Sequence, residues 1–171
     1  MSTPPGALLV ARLAERLLAR GQRLALAESC TGGLVAKLCT DRAGSSDWFE
    51  GGLVTYSNTL KQRLLGVSAD TLAQAGAVSA QTVLAMVEGL LQATDADWGL
   101  AVSGVAGPGG GSAEKPVGTV WIAWAGRGQA VGASRFWFDG DRDAVRQAAA
   151  HAALAGLCDL LGIGAPQAPV G

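Results

Sequence analysis

Apolar segments of strand length alternate with segments of helical periodicity through the first half of the chain. Leucines one turn apart predict a helix over residues 5–20, and an apolar run predicts a strand over 23–28. A helix over 31–40 and a strand over 49–57 follow. Parallel neighbours need a crossover between them, usually a helix. The alternation therefore predicts an α/β protein whose parallel sheet is covered by helices on both faces.

The second half of the sequence predicts further helices and then an antiparallel hairpin. Helices are predicted over 58–65, capped by Asn58, over 69–75, and over a longer segment capped by Ser79. A buried strand over 98–104 precedes strands over 117–125 and 130–138, which the turn at 126–128 joins as an antiparallel hairpin. The last helix is predicted from near Asp141 to Leu161. We therefore expect a mixed, mostly parallel sheet of about five strands.

Size and charge limit the classes of protein that this chain can belong to. With 171 residues it has the length of one domain, which we place at 1–162, with 163–171 as a loose tail. A net charge of −1 offers no attraction for nucleic acid, and no apolar run approaches a membrane span. The three cysteines lack the spacing of metal ligands. Arginines interrupt the apolar N-terminal segment, which argues against a secretory signal peptide. We expect a cytoplasmic protein with no metal, no cofactor, and no nucleic-acid or membrane partner.

Ser29 lies where the first strand passes into the second helix. A hydroxyl at the tip of such a turn lies close to backbone N–H groups that can stabilise an oxyanion, here those of Cys30 and Thr31. The alternative is that Ser29 or Thr31 only caps the helix. Two other polar segments, 56–61 and 103–111, also follow predicted strands. Because ligands bind beyond the carboxyl ends of such strands, the three segments predict one site.

Lys61 is the candidate general base for Ser29. It lies in the first turn of a predicted helix, where the helix dipole and partial burial lower the pKa of an amine. Tyr56 is a candidate partner in proton transfer. The alternatives are an ordinary surface lysine and a tyrosine that packs in a strand. The single histidine, His151, lies among alanines on a late helix, which disfavours a Ser-His-Asp triad.

A glycine-rich loop is the most unusual stretch of the sequence. Glycines let main-chain amides approach a ligand and form an anion-binding nest, although a flexible hairpin is the alternative. The candidate substrate-binding residues of this loop are Ser103, Gly104, Gly107, Gly109, Gly110, Gly111 and Ser112. Asn58 is a further candidate.

Arg142 and Arg146 lie one turn apart on the last helix and are candidates to clamp a phosphate or carboxylate. The alternative is that they pair with the neighbouring acids Asp139, Asp141 and Asp143. Lys115 is either a further phosphate contact or a solvated loop charge.

Seven short stretches of this sequence resemble the C-terminal domain of the CinA proteins and the stand-alone nicotinamide-nucleotide amidohydrolases of that family. The resemblance covers roughly residues 5–162, and its motifs are 27–33, 44–46, 51–58 with Lys61, 76–79, 104–112, 115–119 and 140–142. One departure is Ser103, where the family usually has threonine. The hydroxyl is kept, but the lost methyl loosens its rotamer.

The resemblance implies a three-layer α/β/α sandwich and a dimer. It also implies hydrolysis of nicotinamide mononucleotide to nicotinate mononucleotide and ammonia, without a metal. On this resemblance the nucleophile is Ser29, its partners are Lys61 and Tyr56, and the substrate contacts are residues 107–112 and Arg142. Two alternatives remain: a non-catalytic nucleotide- or protein-binding module of the competence/damage-inducible type, and an amidase of another small carboxamide.

Overall fold

The computed structural model describes residues 5–129 and 132–164. Within them lie six helices, five strands and a short 3-10 turn. The strands are β1 (Leu24–Glu28), β2 (Phe49–Val54), β3 (Trp98–Gly104), β4 (Thr119–Gly126) and β5 (Gly132–Trp137). The helices are α1 (Pro5–Arg20), α2 (Leu34–Thr40), α3 (Asn58–Leu65), α4 (Ala69–Ala75), α5 (Ala80–Ala93) and α6 (Arg142–Leu160), and the 3-10 turn spans Ser45–Asp47.

The five strands form one mixed sheet in the order β2-β1-β3-β4-β5. The central strand β1 runs parallel to β2 and β3, whereas β4 runs antiparallel to β3 and to β5. The predicted mixed sheet and the late hairpin are therefore confirmed. Residues 130–131 at the start of the predicted last strand and most of the predicted tail, 165–171, lie outside the described residues.

Two predicted boundaries and one predicted cap were wrong for local reasons. Helix α2 begins at Leu34 rather than at residue 31, because Gly33 has a φ of 100° and cannot belong to a right-handed helix. Strand β2 ends at Val54 rather than at residue 57, and the chain then turns into α3. The cap of α3 is Ser57 rather than Asn58, since the Ser57 hydroxyl accepts the N–H of Leu60 at 3.1 Å.

Helices cover both faces of the sheet, which confirms the three-layer α/β/α architecture. Large side chains of the strands, such as Leu24 and Leu26, pack against α1, α2 and α6. The opposite face carries small residues that pack against α3 and α5, namely Ala25, Ala27, Ala101, Ala123 and Ala125. Because these alanine side chains are short, α5 approaches this face closely: a Cβ on Gly99 would lie 3.0 Å from a methyl of Val87.

The parallel arrangement of β1, β2 and β3 decides where polar side chains meet. The three strands end at one edge of the sheet, at Glu28, Val54 and Gly104. The segments that follow them therefore lie side by side, as the sequence predicts. In the described part of the chain, no helix has both the length and the apolar character needed to cross a bilayer.

Candidate active site

A tight turn connects β1 to α2 and carries Ser29. The N–H of Ser29 donates to the Val102 carbonyl of β3 at 3.0 Å, so the turn begins while the chain is still held to the sheet. The Ser29 carbonyl then accepts the N–H of Gly32, also at 3.0 Å. These bonds hold Ser29 at the carboxyl edge of the sheet, where it is mostly buried.

Glu28 caps helix α2, a role that the sequence analysis did not assign. Its carboxylate is fully buried and accepts the main-chain N–H groups of Gly33, Val35 and Ala36 at 3.0, 3.1 and 2.8 Å. A carboxylate suits this position because free N–H groups and the helix dipole both attract negative charge. The alternative that Ser29 or Thr31 caps α2 is therefore wrong. The available signal was an acidic residue in the short segment between a strand and a helix.

The amine of Lys61 is buried beside the Ser29 hydroxyl. Lys61 Nζ lies 2.9 Å from Ser29 Oγ, 2.8 Å from the carbonyl of Thr55 and 3.1 Å from that of Tyr56. Only 1% of the Lys61 surface is exposed, so the alternative of an ordinary surface lysine is wrong. Burial lowers the pKa of Lys61 below its usual 10.5, with a smaller opposing effect from Cys30.

This arrangement suits an amine that acts as a base. A neutral amine has two N–H bonds and one lone pair, and the carbonyls of Thr55 and Tyr56 accept the two N–H bonds. An ammonium donates its third N–H to Ser29 Oγ at 2.9 Å, whereas a neutral amine has its lone pair at that position, facing the hydroxyl. Burial raises the pKa of the neighbouring Cys30 thiol to about 12, which keeps the thiol protonated at neutral pH.

Tyr56 accepts hydrogen bonds from two neighbours through two different oxygens. Its main-chain carbonyl accepts from Lys61, whereas its phenolic oxygen accepts from a guanidinium nitrogen of Arg142 at 3.0 Å. Another nitrogen of Arg142 donates to the carbonyl of Gly107 at 2.8 Å. The Tyr56 side chain is 57% exposed, so it is not simply packed in a strand. Arg142 therefore links the tyrosine ring to the glycine-rich loop.

A pocket of about 300 Å³ collects most of the predicted site residues. The predicted residues that line it are Ser29, Cys30, Tyr56, Lys61, Ser103, Gly104, Gly107, Gly109, Gly110 and Arg142. Four apolar residues also line it and were not predicted: Ala77, Val78, Val105 and Ala106. Their positions beside polar motifs were visible in the sequence, but nothing in their chemistry indicated a site.

The glycine-rich loop needs its glycines for two reasons at Gly107. This residue has a φ of 81°, in the left-handed region that side chains disfavour. A Cβ here would also lie 2.5 Å from a methyl of Val117. The glycine therefore lets the loop fold tightly enough to present the Gly107 carbonyl to Arg142.

Several predicted site residues do not line this pocket. Asn58 is exposed on α3, and the Ser112 hydroxyl accepts the N–H of Lys115 in a turn at 3.1 Å. Lys115 itself donates to the carbonyl of Ala75 at 2.6 Å. Gly111, Thr31 and Arg146 are also absent from the lining.

Arg146 contacts the Ser29 turn rather than the pocket. Its guanidinium donates to the carbonyls of Cys30 and Thr31, each at 3.1 Å. The alternative that Arg142 and Arg146 pair with nearby acids is wrong, since neither takes part in a salt bridge within the described residues. Asp141 instead caps α6 by accepting the N–H of Ala144.

Neither His151 nor the cysteines belong to a metal-binding cluster within the described residues. His151 is exposed on α6, whereas the three cysteines are buried as free thiols. Among residues 5–129 and 132–164, no three His, Cys, Asp or Glu side chains cluster so as to hold a metal ion.

The fold and the pocket define an α/β protein with a buried serine–lysine pair. A model of the CinA C-terminal domain matches residues 7–161 of the chain. The chain is 58% identical to the nicotinamide-nucleotide amidohydrolase PncC of Enterobacter agglomerans over 134 residues, which cover 78% of this chain and 82% of that protein. This chain belongs to the CinA C-terminal domain family.

Two further similarities support the family. The PncC protein of Pseudomonas putida is 53% identical over 152 residues, covering 89% of this chain and 94% of its own length. The crystal structure of the competence/damage inducible protein CihA from Agrobacterium tumefaciens matches with a TM-score of 0.90 at 42% identity, covering 94% of this chain and 98% of that one. The fold and its sequence pattern therefore agree along nearly the whole chain.

Proposed function

We propose that this chain is a nicotinamide-nucleotide amidohydrolase, which converts nicotinamide mononucleotide and water to nicotinate mononucleotide and ammonia. The observation that carries the proposal is the buried contact of 2.9 Å between Lys61 Nζ and Ser29 Oγ, at the edge where an α/β sheet binds ligands. The relatives named PncC indicate the substrate.

The reaction begins when Ser29 Oγ attacks the carboxamide carbon of the substrate. Lys61 Nζ takes the hydroxyl proton as the oxygen–carbon bond forms, and it returns a proton to the amide nitrogen as the carbon–nitrogen bond breaks. Ammonia leaves and an acyl ester remains on Ser29. Lys61 then takes a proton from water, which attacks the ester carbon, and gives that proton back to Ser29 as the carboxylate product leaves.

The N–H groups of Cys30 and Thr31 stabilise the negative oxygen of each tetrahedral intermediate. In the part of the chain that the structure describes, neither group donates to another main-chain or side-chain oxygen. Preorganised donors of this kind contribute about 3–4 kcal/mol to the transition state.

The phosphate of the substrate binds between the glycine-rich loop and Arg142. This arginine uses one N–H on each of two nitrogens for Gly107 and Tyr56, which leaves further N–H groups of its planar fork for an anion. Main-chain amides of Gly109 and Gly110 line the same pocket. The nicotinamide ring then lies toward Ser29, against the apolar residues Ala77 and Val78.

Ammonia release from nicotinamide mononucleotide tests this function directly. We expect Ser29→Ala and Lys61→Ala to lower the rate by a factor on the order of 10²–10⁴, because each removes a group that reacts. Lys37→Ala is the matched control, since Lys37 is exposed and pairs with Asp41. Circular dichroism checks that each variant folds. Full activity in Ser29→Ala or Lys61→Ala would remove that residue from the mechanism.

A binding module without catalysis is the second candidate, because several solved relatives carry competence or damage-inducible names. Pure binding does not need a buried amine beside a hydroxyl. Tight binding of the mononucleotide with no ammonia after hours would favour this second function. A panel of other small carboxamides separates nucleotide hydrolysis from a broader amidase activity. The dimer and the cytoplasmic location remain predictions.

A further inference from the structure

Arg142 and Arg146 leave the same face of α6, but they bind different parts of the molecule. Arg142 lines the pocket, whereas Arg146 lies behind the turn that carries Ser29. Arg146 Nε donates to the carbonyl of Cys30 and Arg146 Nη2 donates to that of Thr31, each at 3.1 Å. A guanidinium is a rigid planar fork, so these two bonds fix two successive carbonyls in one orientation.

Those two carbonyls determine where the neighbouring N–H groups point. In a planar trans peptide the C=O and the following N–H point in opposite directions. With the Cys30 carbonyl held by Arg146, the N–H of Thr31 must point away from that arginine. With the Thr31 carbonyl held in the same way, the N–H of Gly32 points to the carbonyl of Ser29, which accepts it at 3.0 Å.

The other N–H groups of this segment already have acceptors. Glu28 accepts those of Gly33, Val35 and Ala36, and the Thr31 carbonyl accepts that of Leu34 at 3.1 Å. Within the described residues, the N–H groups of Cys30 and Thr31 remain without an oxygen acceptor. A cation on the Cys30 carbonyl also polarises its peptide, which strengthens the N–H of Thr31 as a donor.

We infer that Arg146 is a positioning residue that holds the peptide between Cys30, which lines the pocket, and Thr31, which does not, so that the N–H of Thr31 is available to the oxygen that becomes negative on the substrate. The inference rests on the proposed function, because it assigns that N–H to the reaction of Ser29. In this role Arg146 does not clamp a phosphate or carboxylate of the substrate, since it touches the protein main chain. Its effect therefore falls on the transition state.

Steady-state kinetics of Arg142→Ala and Arg146→Ala on nicotinamide mononucleotide separate the two roles. For Arg146→Ala we expect kcat to fall roughly 10–100-fold, with KM within about threefold, because a misaimed oxyanion donor affects the transition state. For Arg142→Ala we expect mainly a higher KM. Gln147→Ala is the surface control on the same helix. A raised KM with unchanged kcat in Arg146→Ala would overturn the inference.

Chemical rescue distinguishes positioning from general support of the fold. A few millimolar guanidinium chloride should restore part of kcat in Arg146→Ala, whereas sodium chloride at the same concentration should not. If Arg146→Ala does not fold, Arg146→Lys serves instead, because lysine keeps the charge but cannot hold two carbonyls in one plane. We expect Arg146→Lys to have the wild-type KM and a lower kcat. Wild-type kcat in a folded Arg146→Lys, or no rescue of a folded Arg146→Ala, would contradict the inference.

Labelling of Ser29 by a fluorophosphonate gives a readout that does not need the substrate. Ser29 Oγ bonds to phosphorus, fluoride leaves, and the hydroxyl proton passes to Lys61, so intact mass reports the reaction rate. We expect Arg146→Ala to label at least about tenfold more slowly than the wild type. Equal rates would overturn the inference. A wild type that labels but does not hydrolyse the mononucleotide would overturn the proposed substrate alone, and one that does neither would overturn both.

Discussion

The Lys61 amine lies 2.9 Å from the Ser29 hydroxyl, although 32 positions separate the two residues in the chain. Two main-chain carbonyls accept the other hydrogens of the amine. An ammonium at this position has no lone pair for the hydroxyl, whereas a neutral amine has one. In the proposed reaction, the protonation of Lys61 therefore controls the reactivity of Ser29.

The first prediction concerns the pH dependence of hydrolysis. Because burial lowers the pKa of Lys61 below 10.5, kcat/KM should rise with pH and level off with a midpoint below that value. Initial rates of ammonia release between pH 6 and 10 measure it. A rate that falls as the pH rises through this range, with the protein still folded, would contradict lysine as the base.

The second prediction concerns stability. Between the lowered pKa of folded Lys61 and the 10.5 of an ordinary lysine, the unfolded chain binds more protons than the folded one, so the free energy of unfolding gains from rising pH. Below the folded-state pKa the cost of the buried ammonium is fully present. In urea unfolding, the wild type should therefore gain stability relative to Lys61→Met as pH rises from 7 toward 10. Parallel curves for the two proteins would disprove it.

The third prediction concerns the Tyr56 phenol. Tyr56→Phe removes the acceptor of Arg142 but keeps the main-chain carbonyl that binds Lys61. We expect KM to rise roughly 2–10-fold, the value of one lost hydrogen bond, with kcat nearly unchanged. If the phenol instead takes part in proton transfer, as the sequence analysis allows, kcat falls by about 100-fold or more.

The fourth prediction concerns the cap of α2. Glu28→Gln leaves one amide oxygen for three N–H groups, and its NH₂ faces donors rather than acceptors. We expect a loss of about 1–3 kcal/mol in the free energy of unfolding, measured in urea. Glu88→Gln on the exposed face of α5 is the matched control and should change stability by less than about 0.5 kcal/mol.

The fifth prediction concerns Gly107. Gly107→Ala places a Cβ 2.5 Å from a methyl of Val117 at a φ of 81°. We expect a stability loss of about 1–3 kcal/mol and a higher KM, because the carbonyl that holds Arg142 moves. Gly109→Ala is the control for the loss of stability, since a Cβ on Gly109 would meet nothing within 4 Å. Equal losses of stability in the two variants would show that crowding at Val117 is not the cause.

The architecture and the meeting of Ser29 with Lys61 were predictable because their signals are local or topological. Apolar periodicity sets α1 at Pro5–Arg20, as predicted. Parallel strands end at one edge, so segments after β1, β2 and β3 had to meet there. Ser29 and Lys61 could thus be proposed together before any distance was known.

Other features depend on three-dimensional geometry that the spacing of residues along the sequence does not determine. Arg142 and Arg146 share a face of α6, but only the path of that helix across the sheet edge decides which one reaches the pocket. Glu28 ends an apolar strand, and its role as a cap follows from the close turn into α2. Ala77 and Val78 enter the pocket because α4 and α5 bring their loop there.

The alanine-rich face of the sheet has a consequence for engineering. Helix α5 rests on that face and touches α3 at Gly89, where a Cβ would collide with the carbonyl of Leu65, and α3 carries Lys61. A larger side chain at Ala123 would push α5 outward and, through α3, strain the position of the amine beside its hydroxyl. Libraries that enlarge this layer should therefore be screened for rate as well as for thermostability.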